Sequence, residues 1–111
     1  MKVSAVLLNY NSSKDCEKCI GYLKKQDYEN LDIIIVDNAS DNKEEELQLK
    51  KIAKEQKIEV IFNKLNTGYA AGNNIGLRAA VGRGADWCLI INPDVELRDK
   101  GYILSLIHIS E

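Results

Sequence analysis

The chain has one proline, one histidine and three cysteines in 111 residues, and each scarcity removes a class of protein. With Pro93 as its sole proline, no stretch is Pro/Ser-rich or low enough in complexity to suggest disorder. Cys16, Cys19 and Cys88 are an odd set without a secretory leader, which favours reduced thiols over a disulfide framework. The spacing Cys16-x-x-Cys19 invites a zinc or redox reading. Zinc takes about four ligands, however, and only Cys88 and His108 remain as obvious partners, so two small side chains on an early helix is the preferred reading. The longest apolar runs, residues 3–8 and 31–36, are far shorter than the ~20 residues of a membrane-spanning helix. The N-terminus also lacks a basic-then-apolar signal layout, so no transmembrane segment and a cytoplasmic location are expected. Fifteen Lys+Arg against seventeen Asp+Glu leave a formal charge of −2. No bulk field draws the chain to nucleic acid or an anionic membrane, and any phosphate recognition must be local.

What is present is a globular composition, 45% hydrophobic and 29% charged, in a length that suits one domain. Residues 3–8 and 31–36 are short apolar runs rich in β-formers, as expected of parallel strands covered on both faces. Between them Ser12 can cap a helix, with Asp15 three residues on and Cys16, Cys19, Ile20 and Leu23 at helical spacing. A second helix follows, capped by Ser40 or Asp41. Its Glu44, Glu45 and Glu46 at the start and Lys50, Lys51, Lys54 and Lys57 later complement the helix dipole and read as a solvated face. Leu49, Ile52 and Ala53 supply its buried stripe. Residues 58–62 and 87–91 read as strands and 69–81 as a third helix. Alternating strands and helices predict a three-layer α/β/α, Rossmann-like domain with a mainly parallel sheet and right-handed crossovers. From Gly101 onward, Ile103, Leu104, Leu106, Ile107 and Ile109 fit a helix or a strand equally.

In an open parallel sheet, ligands bind beyond the carboxyl ends of the strands. The polar clusters fall there: Asn9-Tyr10-Asn11, Asp37-Asn38-Ala39-Ser40, residues 63–72 and Asn92-Pro93-Asp94. Each taken alone is ordinary turn chemistry; four at one rim are harder to explain that way. No Gly-x-Gly-x-x-Gly follows the first strand and no Walker-type loop exists. Gly68, Gly72 and Gly76 recur every four residues around Asn73-Asn74. They serve either close helix packing or the approach of a diphosphate to the third helix's start. Asp94, on a turn stiffened by Pro93, is a suitable hard-oxygen ligand for Mg²⁺ or Mn²⁺ gripping a diphosphate.

In order, Val3-Ser-Ala-Val-Leu-Leu-Asn-Tyr-Asn11, Ile35-Val-Asp-Asn-Ala-Ser40, Asn66-Thr-Gly-Tyr-Ala-Ala-Gly-Asn-Asn-Ile-Gly76 and Ile91-Asn-Pro-Asp-Val95 resemble glycosyltransferase family 2, in its bacterial rhamnosyltransferase-like variant. The resemblance covers about residues 3–100. It implies a GT-A fold that binds a nucleoside-diphosphate sugar, UDP- or dTDP-linked, and transfers the sugar with inversion to a glycan or lipid-linked acceptor, as in cell-wall or polysaccharide synthesis. Carried over, Asn9, Tyr10 and Asn11 line the nucleoside pocket and Asp37 with Asn38 sit near the base. Gly68, Gly72 and Asn73 belong to the nucleotide site. Asn92 and Asp94 match the outer positions of the family's Asp-x-Asp motif, making Asp94 the metal ligand and placing Asn92 on ribose or phosphate. Asn38 stands where many members have aspartate.

The family's catalytic base lies in a second half after the metal motif, so none is assigned here, and residues 1–100 are expected to be a donor-binding part inactive alone. Residues 101–111 are expected to be a tail of non-native origin, because their closing stretch resembles translated sequencing-adapter sequence more than the family's next helix. Two other readings stay open, a nucleotidyltransferase and a nucleotide-binding module without chemistry. The loop Asn9-Tyr10-Asn11-Ser12-Ser13 is unlike the glycine-rich basic loop of the first.

Overall fold

The computed structural model describes residues 1–110; Glu111, the end of the expected tail, lies outside the described residues. Four strands, β1 (Val3–Asn9), β2 (Leu31–Asp37), β3 (Glu59–Phe62) and β4 (Trp87–Ile91), alternate with α1 (Ser13–Lys24), α2 (Lys43–Gln56), α3 (Tyr69–Gly82) and α4 (Tyr102–Ser110). The sheet is parallel with order β3-β2-β1-β4. This is the expected α/β architecture, and the stretch from Gly101 onward, whose pattern fits helix or strand equally, forms helix over Tyr102–Ser110.

Side chains alternate across each strand, so the apolar runs feed two cores. Val3, Ala5, Leu7, Ile33 and Ile35 pack with Cys16, Cys19, Ile20 and Leu23 of α1, Leu49 and Ile52 of α2, and Ile103 and Ile107 of α4. Val6, Ile34 and Val36 pack on the other face with Ala80 of α3. α3 lies close to the sheet because its glycines have no side chain. A Cβ at Gly76 would fall inside the van der Waals shell of Val6 Cγ1 and 3.1 Å from Val36 Cγ2.

Two helix starts differ from expectation. The cap of α2 is Asn42, whose side chain accepts from the Glu44 N–H at 3.0 Å, not Ser40 or Asp41; those two are engaged with the ends of β1 and β2 instead. Ser12 holds the cap position of α1 without a side-chain cap, its hydroxyl donating to Asn9 Oδ1 at 3.1 Å. The acceptor α1 needs comes from Glu45 of α2. At the far end of the sheet, Arg83 after α3 pairs with Asp32 at 2.7 Å and with Glu59, tying α3 to β2 and β3.

Candidate functional site

In a parallel sheet all strands end on one edge. The register Asn9↔Asp37 and Leu7↔Ile91 puts the loops after β1, β2 and β4 side by side, with Asn11, Asp37 and Asp94 along that edge. A cleft of about 370 Å³ opens there, lined by Asp37, Ala39, Ser40, Asn63 and Lys64 among others.

Beneath the edge lies a buried polar hub centred on Asn9, which is fully buried. Its Nδ2 donates to Asp37 Oδ1 at 3.0 Å and Glu45 Oε2 at 3.2 Å, with Ser40 Oγ at 3.4 Å. Its Oδ1 accepts from Ser12 Oγ and, at 3.3 Å, from the Cys16 thiol. Glu45 also accepts from Ser13 Oγ at 3.0 Å and from the Ser13 N–H at 3.2 Å. Asp37 Oδ1 accepts from Ser40 Oγ at 2.6 Å. Buried polar groups need such partners, and here one cluster joins two strand ends to two helix starts. Burial pushes the Cys16 thiol far up, with Cys19, Glu45, Asp15 and Asp37 adding to the effect.

The charge pattern groups Glu45 with Glu44 and Glu46 as solvated, and here the structure differs. Glu44 and Glu46 are exposed, whereas Glu45 is 7% exposed. The signal is present in the spacing: positions 45, 49 and 52 share one helix face, and Leu49 and Ile52 are core.

Above the hub, Tyr10 is 45% exposed. Asn11 adopts a left-handed φ of 51°, which asparagine tolerates. Its backbone N–H donates to Ser40 Oγ at 2.9 Å, its Nδ2 to Asp41 at 2.6 Å, and its Oδ1 accepts from the Asn42 N–H. Ala39 is left-handed as well, at φ 58°. Two adjacent strand exits thus carry unusual backbone held by mutual hydrogen bonds, a condition that clusters at functional loops.

On the other side of β2, Asn38 is buried against residues 63–68 and Gly72 of α3. Gly68 caps α3 at φ 84° with no side-chain acceptor, and no acidic residue stands in the first turn. Such a helix start is electropositive and suits an anion. Asn73 is 3% exposed, and neither its Oδ1 nor its Nδ2 has a partner. Tyr69 donates to Asn92 Oδ1 at 3.2 Å, linking the start of α3 to the end of β4.

Asp94 is exposed on the turn closed by Val95 N–H to Asn92 O at 3.0 Å. Its charge is felt by Cys19, whose thiol is pushed up to about 11, first by burial and then by Asp94. An exposed carboxylate fits Mg²⁺ or Mn²⁺, which commonly take one or two carboxylates and complete their shell with phosphate and water. Among the described residues no group of three or more His, Cys, Asp or Glu is placed to hold an ion unaided. Asn9, Asp37 and Ser40 therefore come together, as do Asn38 and Gly68, and Asn92 with Tyr69, while Asp94 stands apart from these hydrogen-bonded groups.

Known proteins share this arrangement of strands and helices. The family model of glycosyl transferase family 2 matches residues 4–109. Glycosyltransferase GlyG of Streptococcus pneumoniae is 27% identical over 83% of this chain and 30% of its own length. Mannosyltransferase PcManGT from Pyrobaculum calidifontis, solved in complex with GDP-Man and Mn²⁺, superposes with a TM-score of 0.82 at 19% identity, covering 96% of this chain and 31% of its own. TarS 1–349 of S. aureus in complex with UDP-GlcNAc gives 0.78 at 22% identity, covering 97% and 30%. The chain thus spans about a third of the length of these proteins.

Proposed function

The chain belongs to glycosyl transferase family 2, and we propose that it forms the donor-binding part of a cytoplasmic enzyme that transfers a sugar from a nucleoside diphosphate to a glycan or lipid-linked acceptor with inversion. The observation that supports this is the single sheet edge on which all four parallel strands end, with an open cleft between the loops after β2 and β3. Tyr10, Asn11 and Asp37 hold the nucleoside, with Asn9 beneath them as the buried support that fixes their loops. The diphosphate lies toward the start of α3, near Gly68, Gly72 and Asn73, and Asn92 reaches the ribose or a phosphate. Asp94 holds Mg²⁺ or Mn²⁺; when bound, the ion offsets the charge that builds on the departing diphosphate.

Inverting transfer also needs a general base at the acceptor hydroxyl. Asp37 is engaged with Ser40 and Asn9 and Glu45 with Ser13 and Asn9, while Asp94 is given to the ion. We place the base outside residues 1–100.

PcManGT and TarS are solved with GDP-Man and UDP-GlcNAc respectively, so the test uses several nucleotides. Calorimetry with UDP, dTDP and GDP, with and without Mn²⁺, should show metal-dependent binding of UDP or dTDP. Asp94→Ala should remove the metal-dependent part, and Tyr10→Ala should weaken binding with and without metal. Identical affinities in all three proteins would sink the assignment.

A further inference from the structure

We propose that Asn38 is a positioning residue that builds one wall of the donor cleft by locking residues 63–68, and that it does not itself read the base. This rests on the donor-binding reading above and goes beyond it. Asn38 is 3% exposed, and its whole amide faces the chain. Nδ2 donates to Asn66 Oδ1 at 3.1 Å and to the Gly68 carbonyl at 3.2 Å. Oδ1 accepts from Asn63 Nδ2 at 3.2 Å, the Thr67 N–H at 3.2 Å and Thr67 Oγ1 at 3.3 Å.

An amide has two N–H donors and one carbonyl oxygen, and both donors and the oxygen are occupied. The orientation is fixed by backbone, because the Thr67 N–H can only donate and the Gly68 carbonyl can only accept. An aspartate of the same shape would aim a carboxylate oxygen at two acceptors and lose both donations. The loop has further anchors, from the Asn63 N–H to Asp37 O at 2.9 Å and from the Gly68 N–H to Asn66 Oδ1 at 2.9 Å. Asn38 sits between them. Gly72 of α3 packs so near that a Cβ there would stand 3.2 Å from Asn38 Nδ2. The same amide therefore sets the loop, the left-handed Gly68 and the seating of α3. Asn63 and Lys64 of this loop line the cleft with Asp37 and Ser40, so its shape is the shape of the cleft. A base could reach Asn38 only by displacing the partners it already has.

The test uses the whole chain and the variants Asn38→Asp, Asn38→Ala and Asn66→Ala, the last trimming an exposed side chain as a safeguard should Asn38 variants fold poorly. Amide hydrogen exchange is read at Thr67 and Gly68, with the amides of β1 and β2 as the control for global unfolding. Exchange at Gly68 should rise at least fivefold in Asn38→Asp and Asn38→Ala, and exchange at Thr67, whose N–H donates to Asn38 Oδ1, should rise in Asn66→Ala, which removes the acceptor of the Gly68 N–H itself, while the control amides hold. Unchanged protection at Gly68 overturns the proposal, whether or not any nucleotide binds. Calorimetry then separates positioning from base reading. Asn38→Asp should weaken UDP, dTDP and GDP by a similar factor, and less so in an Asn66→Ala background, since both changes remove the Asn38–Asn66 bond and only Asn38→Asp also loses the donation to the Gly68 carbonyl. A change in the rank order of the nucleotides, or an undiminished effect in that background, assigns Asn38 to the base and overturns the proposal. If the unaltered chain binds no nucleotide, the donor-binding reading fails, and the exchange data still decide what holds the loop.

Discussion

Glu45 of α2 supplies the start of α1 with the acceptor that α1's own cap residue does not: Ser13 donates to it through its backbone N–H at 3.2 Å and its hydroxyl at 3.0 Å. A cap borrowed from another helix couples the two helix starts, and through Asn9 it couples both to the ends of β1 and β2.

Removing that carboxylate strands buried donors. Glu45→Ala should lower unfolding free energy by about 1–3 kcal/mol, the usual cost of leaving such groups unpaired. Glu46→Ala, which loses only the exposed pair with Lys50, should cost no more than about 0.5 kcal/mol. Urea unfolding monitored by circular dichroism compares them, and equal losses would mean that Glu45 is solvated after all.

Glycines in the helices should behave oppositely according to what they face. Gly76→Ala drives a methyl into Val6 and Val36 and should destabilise by about 1–3 kcal/mol. Gly21 is exposed in mid-α1, and a methyl there would meet nothing within 4 Å, so Gly21→Ala should stabilise by about 0.5–1 kcal/mol. The same urea titrations settle both signs.

Ala39 holds a left-handed φ of 58°, which costs an L-residue roughly 1–2 kcal/mol. Glycine relieves that cost but adds about 0.4–1 kcal/mol of unfolded-chain entropy. Ala39→Gly should therefore be neutral or stabilising by up to about 1.6 kcal/mol. A clear loss of thermal stability would show that the alanine methyl makes a contact of its own.

The buried thiols predict an alkaline limit. Cys19 is pushed up to about 11 and Cys16 further up, chiefly by burial, from an ordinary value of 9.0. A raised folded-state value means the folded protein holds the proton more tightly. Its stabilising effect is complete below pH 9 and is lost as pH rises from there toward 11. Unfolding free energy should fall over that window, and Cys16→Ala with Cys19→Ala should flatten the fall. Alkylation by iodoacetamide at pH 8 should be slow at both until denaturant is added.

The strands, the order of helices and the polar character of every strand end were legible in the sequence, because each depends on neighbours within a few residues: runs of apolar residues for a doubly covered sheet, and Asn, Asp and Gly where a strand must turn. Residues 101–110 were ambiguous for the same reason, since so short an apolar run has no decisive period. What the tertiary structure alone decided is which polar groups face the cleft and which face one another. Asn9 and Tyr10 are adjacent in sequence, yet one is fully buried and the other 45% exposed; Asn9 finds its partners in Asp37 at the end of β2, Ser40, Glu45 of α2, and Ser12 and Cys16 at the start of α1, which surround it only once the sheet and helices have come together. Glu45 and Asn38 were hidden likewise: their hydrogen bonds span 32 and up to 30 positions, and a local pattern cannot encode a partner that arrives only when the sheet has formed.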